Sequence, residues 1–281
     1  MNISSKRLCS VALASLLMLG CATDPVERCR SATSSDAIQN CAKDSNEDAR
    51  KGVALNESLQ SDTLRELAKD PQWGVRSAVA RNPNAPADLL QQLADDSSTY
   101  AAYVRASVAE NPHTPEKLLR KLASDPGLWV RDAVAKNTRT GAEILRKLAK
   151  DPDGRVRSDV YLNPNLPADL IPKLAEDSDV SVRETVAEGR HTPEEFLRKL
   201  ADDPDALVRY HVYVNDVAPK ELREKLGRDP GVQEWVKTEI ETRQYNARGV
   251  TGSSPVSVPP SYNSPSPVSP PMCIGHGVGC P

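Results

Sequence analysis

Cysteine and histidine are the side chains of this 281-residue sequence best suited to chemistry, and their spacing limits what they can do; there are six of the first and four of the second. Cys21 directly follows Leu17-Met18-Leu19-Gly20, so a thiol with a small neighbour closes an apolar run, a suitable place for acylation. Cys29 and Cys41 are 12 residues apart, and Cys273 and Cys280 bracket a glycine-rich stretch that holds His276. With Cys21 set aside, and Cys9 excluded because it lies in the leading segment 1–20, four cysteines remain. In an oxidising compartment an even number implies two bridges, and proximity favours Cys29–Cys41 and Cys273–Cys280 among three pairings. The competing chemistry is a metal or redox site built from Cys29, Cys41, Cys273, Cys280 and His276. His113 and His191 occupy one repeated position just before Thr-Pro, which is turn chemistry. The sequence has no HExxH, GxSxG or GxxxxGK[ST]. No enzyme, no cofactor and no metal site is expected on that ground.

The segment ahead of Cys21 explains its setting. Lys6 and Arg7 precede the uncharged run Leu8–Gly20, too short to span a bilayer and matching a secretory signal. With Cys21 at its end the run resembles a bacterial lipobox. That resemblance implies diacylglyceryl transfer to Cys21, removal of residues 1–20, and durable anchoring by two or three acyl chains. Ala22, rather than Asp, follows the cysteine, which by resemblance to Gram-negative sorting implies the outer membrane, facing the periplasm. Formal charge is -3, and loss of Lys6 and Arg7 leaves 34 basic against 39 acidic side chains. A protein that binds nucleic acid by neutralising phosphates should be basic, so that class is excluded.

What must position the remaining residues is a repeat. Leu67, Leu93, Leu122, Leu148, Leu174, Leu200 and Leu226 begin similar segments spaced by 26 residues, with one spacing of 29, and Cys41 lies 26 before Leu67. Such a period means stacked units, each burying its apolar face against its neighbours. The unit reads LAxDPxxxVRxxVAxNPxxPxxLLxx, and the three extra residues fall within Ser97–Tyr103, a predicted loop. Aromatics are 4% of the chain and proline occurs 23 times, which excludes an all-β fold. Two short helices per unit follow. In Thr192-Pro193-Glu194-Glu195, Thr192 is expected to cap, Pro193 to take the first helical position and Glu195 to reach back. Asp203-Pro204 is expected to start the second helix the same way, and its β-branched residues allow α or 3-10 structure.

The unit resembles the leucine-rich repeat variant family over roughly residues 41–240, because DPxxxVRxxVAxN recurs in register. The resemblance implies an all-α, right-handed solenoid of alternating α and 3-10 helices. HEAT repeats are related, but their period is nearer ~40 residues. One member of the variant family carries an iron–sulfur cluster. Cys21, Cys29 and Cys41 contain no close C-x-x-C pair, so that feature does not transfer. The expected organisation is a signal at 1–20, an anchor and N-terminal cap at 21–40, the solenoid at 41–245 and a flexible tail at 246–281.

The regular charges are expected to be structural. Arg50, Arg76, Arg105, Arg131, Arg157, Arg183 and Arg209 share one column, and eight aspartates from Asp44 to Asp229 share another. Matched so regularly, they should form a ladder rather than a basic stripe. The column Asn56, Asn82, Asn111, Asn137, Asn163 and Asn215 is explained by bonding within its own turn. Function is then expected where the pattern breaks, at Trp73, Tyr100, Tyr103, Leu128 and Trp129, placed in the loop before the valine, and at Tyr210 and His211. These are the candidate contacts for a protein partner. Tyr161 and Tyr213 replace alanine and should be core. Residues 249–271, GVTGSSPVSVPPSYNSPSPVSPP, have no helical period and no charge, a composition suited to a polyproline-type linker. The expected function is a lipid-anchored envelope scaffold for a protein partner.

Overall fold

The computed structural model describes residues 24–247. The expectations for residues 1–20, Cys21, Cys273, Cys280, His276 and the tail beyond Ala247 lie outside the described residues. Two apolar spacings generate the architecture. Pairs such as Leu89-Leu90 with Leu93 define one kind of helix, and Val75 with Val79 the other, and all five side chains are buried. Among the described residues there are seventeen α-helices and no strand.

These fall into two units. The first extends to Leu148 and includes Asn163–Asn165. It contains α1 (Pro25–Arg30), α2 (Ser35–Ala42), α3 (Glu47–Ala54), α4 (Ser61–Leu67), α5 (Trp73–Arg81), α6 (Ala87–Ala94), α7 (Ala101–Glu110), α8 (Glu116–Leu122), α9 (Leu128–Lys136) and α10 (Ala142–Leu148). Its valine helices stack in sequence, α3 on α5, α5 on α7 and α7 on α9, while α6 meets α8 in the leucine layer. The second unit holds α11 (Gly154–Leu162), α12 (Ile171–Ala175), α13 (Val180–Glu188), α14 (Glu194–Leu200), α15 (Ala206–Val214), α16 (Lys220–Leu226) and α17 (Pro230–Ala247). Here α11 packs on α13, α13 on α15 and α15 on α17, with α12 against α14. Each unit is therefore a solenoid-type stack of helix pairs, in which a helix buries one face on the preceding pair and another on the next.

Stacking starts before residue 41. Asp24 caps α1 by accepting from the Val26 amide at 3.0 Å, Pro25 takes the first turn, and α1 packs on α3. Gly52 permits this approach, because a Cβ there would lie 2.3 Å from the Val26 carbonyl oxygen. Cys29 and Cys41 form a disulfide that ties α1 to α2, with Cα atoms 5.8 Å apart. Cys41 is also buried in the column filled elsewhere by leucine.

Several local expectations are corrected. Thr192 does not cap α14: Pro193 is the flanking residue, without a side-chain cap, and the buried Thr192 hydroxyl donates to the Val186 carbonyl at 2.5 Å. Thr114 and Thr140 do the same for Val108 and Val134. Each of these carbonyls, at the end of a valine helix, accepts from the amide of the residue that ends the helix, and the threonine hydroxyl adds a second donor. Asp203 does not cap α15 either. Its Oδ1 accepts from the Asp205 amide at 2.9 Å in an Asx turn, and Asp205 caps the helix through the Leu207 amide. The valine segments are α-helical throughout, and 3-10 structure appears at Ala168–Leu170 instead. There Pro172 has no N–H for the Ala168 carbonyl, so the leucine helix breaks in two. Finally, α17 extends past residue 245 to Ala247.

Candidate functional site

The regular columns are occupied by packing. In the first unit Arg50 bonds Asp70 and Arg105 bonds Asp125, in each case through both Nε and Nη2. In the second, Arg157, Arg183 and Arg209 bond Asp177, Asp203 and Asp229 in the same way. The partner is always 20 residues on, so each rung joins one repeat to the next. The remaining Nη1 holds the arginine's own repeat, as when Arg157 donates to the Asp151 carbonyl at 2.7 Å. Burial alone would raise the Asp177 carboxyl, but the Arg157 and Asp179 hydrogen bonds outweigh it and hold its pKa below the ordinary value. Open grooves of about 340 and 350 Å³ in the second unit are lined by Arg209 with Asp229 and by Arg157 with Asp177. Their charges are already matched along the ladder.

The asparagines do more than the turn chemistry expected of them. Asn111 Oδ1 accepts from the His113 amide inside its turn, while Nδ2 donates to the Ala80 and Asn82 carbonyls of the preceding repeat. Asn82, Asn137 and Asn163 repeat this within the first unit, and Asn215 does so in the second. Burying an amide without partners would cost ~1–3 kcal/mol, and here donors and acceptor are all engaged.

What remains is a cluster in the first unit. Trp73 is the first residue of α5, and Tyr103, Leu128 and Trp129 lie in the first turns of α7 and α9, so four of the five residues assigned to loops are helical. Ring centroids of Trp73 and Tyr103 are 5.1 Å apart, those of Trp73 and Tyr100 5.8 Å, and those of Tyr100 and Tyr103 6.3 Å. Tyr100 is 59% exposed and Trp73 37%. The inserted residues create this arrangement. Arg76 bonds Asp96 through Nε but reaches the Ser98 hydroxyl with Nη2 at 2.5 Å, fastening the inserted loop. The loop then delivers Tyr100 at φ 65°, the one non-glycine residue with positive φ among the described residues. A left-handed tyrosine costs ~1–2 kcal/mol, which the surrounding structure must sustain. Leu128 is half-buried and Trp129 is 37% exposed, one repeat on from Tyr103 in the same column.

The second unit holds a separate group. Tyr210 meets His211 edge-on at 5.7 Å and Trp235 at 6.4 Å. Burial lowers the His211 pKa and favours the neutral ring, with Glu188 partly opposing. Trp235 was not singled out in the sequence, although it stands where an eighth arginine of the ladder would fall. Glu184 was also missed: loss of water, then the Asp205 and Asp179 carboxylates, push it up to about 7. Tyr161 is core, as expected, at 6% exposure. Among the described residues no group of three or more His, Cys, Asp and Glu is placed to hold a metal, and no helix is long and apolar enough to cross a membrane.

Comparison with known proteins follows the repeats. The family model "Leucine rich repeat variant" matches residues 73–98, 103–127 and 181–205, the first two matches being separated by the inserted stretch. A solved structure described as "A leucine-rich repeat variant with a novel repetitive protein structural motif" is 32% identical, covering 65% of this chain and 72% of its own, with a TM-score of 0.49. The chain belongs to the leucine-rich repeat variant family. Among curated proteins, nothing matches it. In leucine-rich repeat variant terms, the Arg–Asp and Asn columns are the repeating frame, and the Trp73–Tyr100–Tyr103 cluster is an addition made by a lengthened repeat.

Proposed function

We propose that this leucine-rich repeat variant protein is a non-catalytic scaffold that binds a protein partner, anchored through a lipid on Cys21 to the periplasmic side of a Gram-negative outer membrane. The observation that carries the binding role is the cluster of exposed Trp73 and Tyr100 with half-buried Tyr103, held at a left-handed tyrosine by an insertion. Exposed aromatics on a rigid frame are the side chains most often found at the centre of interfaces. The Cys29–Cys41 disulfide supports export to an oxidising compartment, and it uses two of the thiols a metal or redox site would need. The acidic net charge argues against nucleic acid.

The test uses the anchored full-length protein as bait in detergent-solubilised envelopes. A partner retained by wild type and lost with Trp73→Ala or Tyr100→Ala supports the scaffold role, and retention unchanged by both removes the triad from it. Cys21→Ala should abolish acyl labelling and release the protein from the membrane fraction. Unchanged labelling would refute the anchor.

A further inference from the structure

We infer that one face of α17 is an interaction surface for a second copy of this chain, the two α17 helices crossing in opposite directions about a two-fold axis. The surface lies within the second unit and does not depend on the role given to the aromatic cluster above. In that unit α13 and α15 each pack on the helix pairs before and after them, whereas α17 packs on α15, where Trp235 meets Tyr210. A different side of α17 carries Gln233, Val236, Lys237, Ile240 and Glu241, which line an open groove of about 360 Å³. Val236 is half-buried and Ile240 is 50% exposed. The end of a repeat stack that stays alone in water needs a polar outer face, and this one has an aliphatic ridge along it.

Shape and charge both select a second copy. The five residues fall in two rows with a spacing of four, Val236 and Ile240 in one and Gln233, Lys237 and Glu241 in the other. Rows of that spacing are the ridges of an α-helix, and the commonest packing of two helices sets such a ridge of one into the groove beside such a ridge of the other. A two-fold axis fills both grooves at once, because the patch that supplies the ridge also supplies the groove; pairing of this kind is the commonest association among soluble chains. Lys237 and Glu241 stand one turn apart, yet neither pairs with the other or with any other described residue, unlike Glu239 and Arg243 of the same helix. Crossing in opposite directions brings Lys237 of each copy to Glu241 of the other, whereas a common direction sets lysine on lysine and glutamate on glutamate. A patch on one 18-residue helix is smaller than a standard interface, so the association is expected to be reversible, in the micromolar range.

The experiment follows the purified full-length chain by sedimentation velocity over a concentration series, with detergent micelles in excess so that shared micelles do not imitate association. A monomer–dimer equilibrium is expected, weakened roughly tenfold or more by Ile240→Glu, by Lys237→Glu and by Glu241→Lys, each of which sets like charges or a charge on the ridge. An equal mixture of the Lys237→Glu and Glu241→Lys chains should dimerise as wild type does, because each then offers the other the opposite charge. Melting curves establish that each variant is folded, as the exposure of these side chains leads one to expect. A chain that is monomeric at every concentration would overturn the inference, as would a dimer indifferent to Ile240→Glu or a mixture that stays monomeric. A dimer lost with Trp73→Ala and kept by Ile240→Glu would overturn it by moving self-association to the aromatic cluster. Retention of a different envelope protein, lost with Ile240→Glu in a chain that does not self-associate, would overturn it by giving the groove to that partner, and the role of the Trp73 cluster would stand or fall separately.

Discussion

Tyr161 and Gly189 are fitted to each other: a Cβ on residue 189 would lie 1.8 Å from the Tyr161 hydroxyl oxygen. Tyr161 takes an alanine position, and Gly189 takes the position that holds asparagine in the neighbouring repeats. The buried Tyr161 hydroxyl donates to Thr192 Oγ1 at 2.5 Å, while Thr192 donates to Val186. Tyrosine thus fills the space of the absent asparagine. Gly189 has φ of -65°, so the need for glycine is steric and not conformational.

Gly189→Asn alone is expected to destabilise the second unit by ~2 kcal/mol or more, because a side chain must displace a packed ring. Tyr161→Ala alone opens a cavity. The double variant restores the arrangement of the other repeats, so it should be more stable than the two single effects summed. A thermodynamic cycle from denaturant melts measures the coupling; simple additivity would mean the two positions do not share space.

Glu184 predicts an inverted pH response. Its pKa in the folded protein is about 7, against 4.5 for an ordinary glutamate. Between those values the folded state keeps a proton that the unfolded state releases, so stability falls as pH rises through this window. Glu184→Gln should therefore match wild type near pH 4 and exceed it at pH 8, by at most ~3 kcal/mol. Melting at both pH values checks this, and an equal difference at both would mean that Glu184 does not titrate abnormally.

The Arg157–Asp177 rung predicts the opposite slope at acid pH. The folded Asp177 carboxyl titrates below its ordinary value, so its contribution is complete above that value and lost as pH falls through the folded one. Arg157→Ala should cost ~1–3 kcal/mol at neutral pH, since it leaves a largely buried carboxylate without its partner. The deficit should shrink toward pH 2 in chemical denaturation. A deficit independent of pH would mean that lost arginine packing, and not the ion pair, is responsible.

Reduction should loosen the N-terminal end. The Cys29–Cys41 bridge closes a 12-residue separation, and the entropy account gives such a loop ~3 kcal/mol. Cys41→Ser is expected to increase amide exchange in α1 and α2 while exchange in α13 and α15 is unchanged. Non-reducing peptide mapping should recover Cys29 joined to Cys41, and free thiols at both would contradict the pairing. Leu174→Ala, by contrast, should cost ~2–5 kcal/mol, whereas the exposed Lys150 should tolerate alanine.

The one-dimensional pattern by itself determined the all-helical stack, because leucines recurring every 26 residues, with one spacing of 29, and valines four apart can be buried only by helices placed against copies of themselves. It also determined that arginines and aspartates in matching columns would pair, and that Cys29 lies within reach of Cys41. Tertiary structure decided where the helices begin. Thr192 and Asp203 look like caps from their neighbours, but one satisfies the helix that precedes it and the other the arginine of the previous repeat. It also decided that Asn111 bonds the carbonyls of Ala80 and Asn82, that Trp73 meets Tyr100 and Tyr103, and that Tyr210 meets Trp235. Those partners lie 25 to 31 residues apart in all three groups. Capping and turn preferences act over three or four residues, so contacts at the length of a whole repeat come into being only when one repeat is laid on the next.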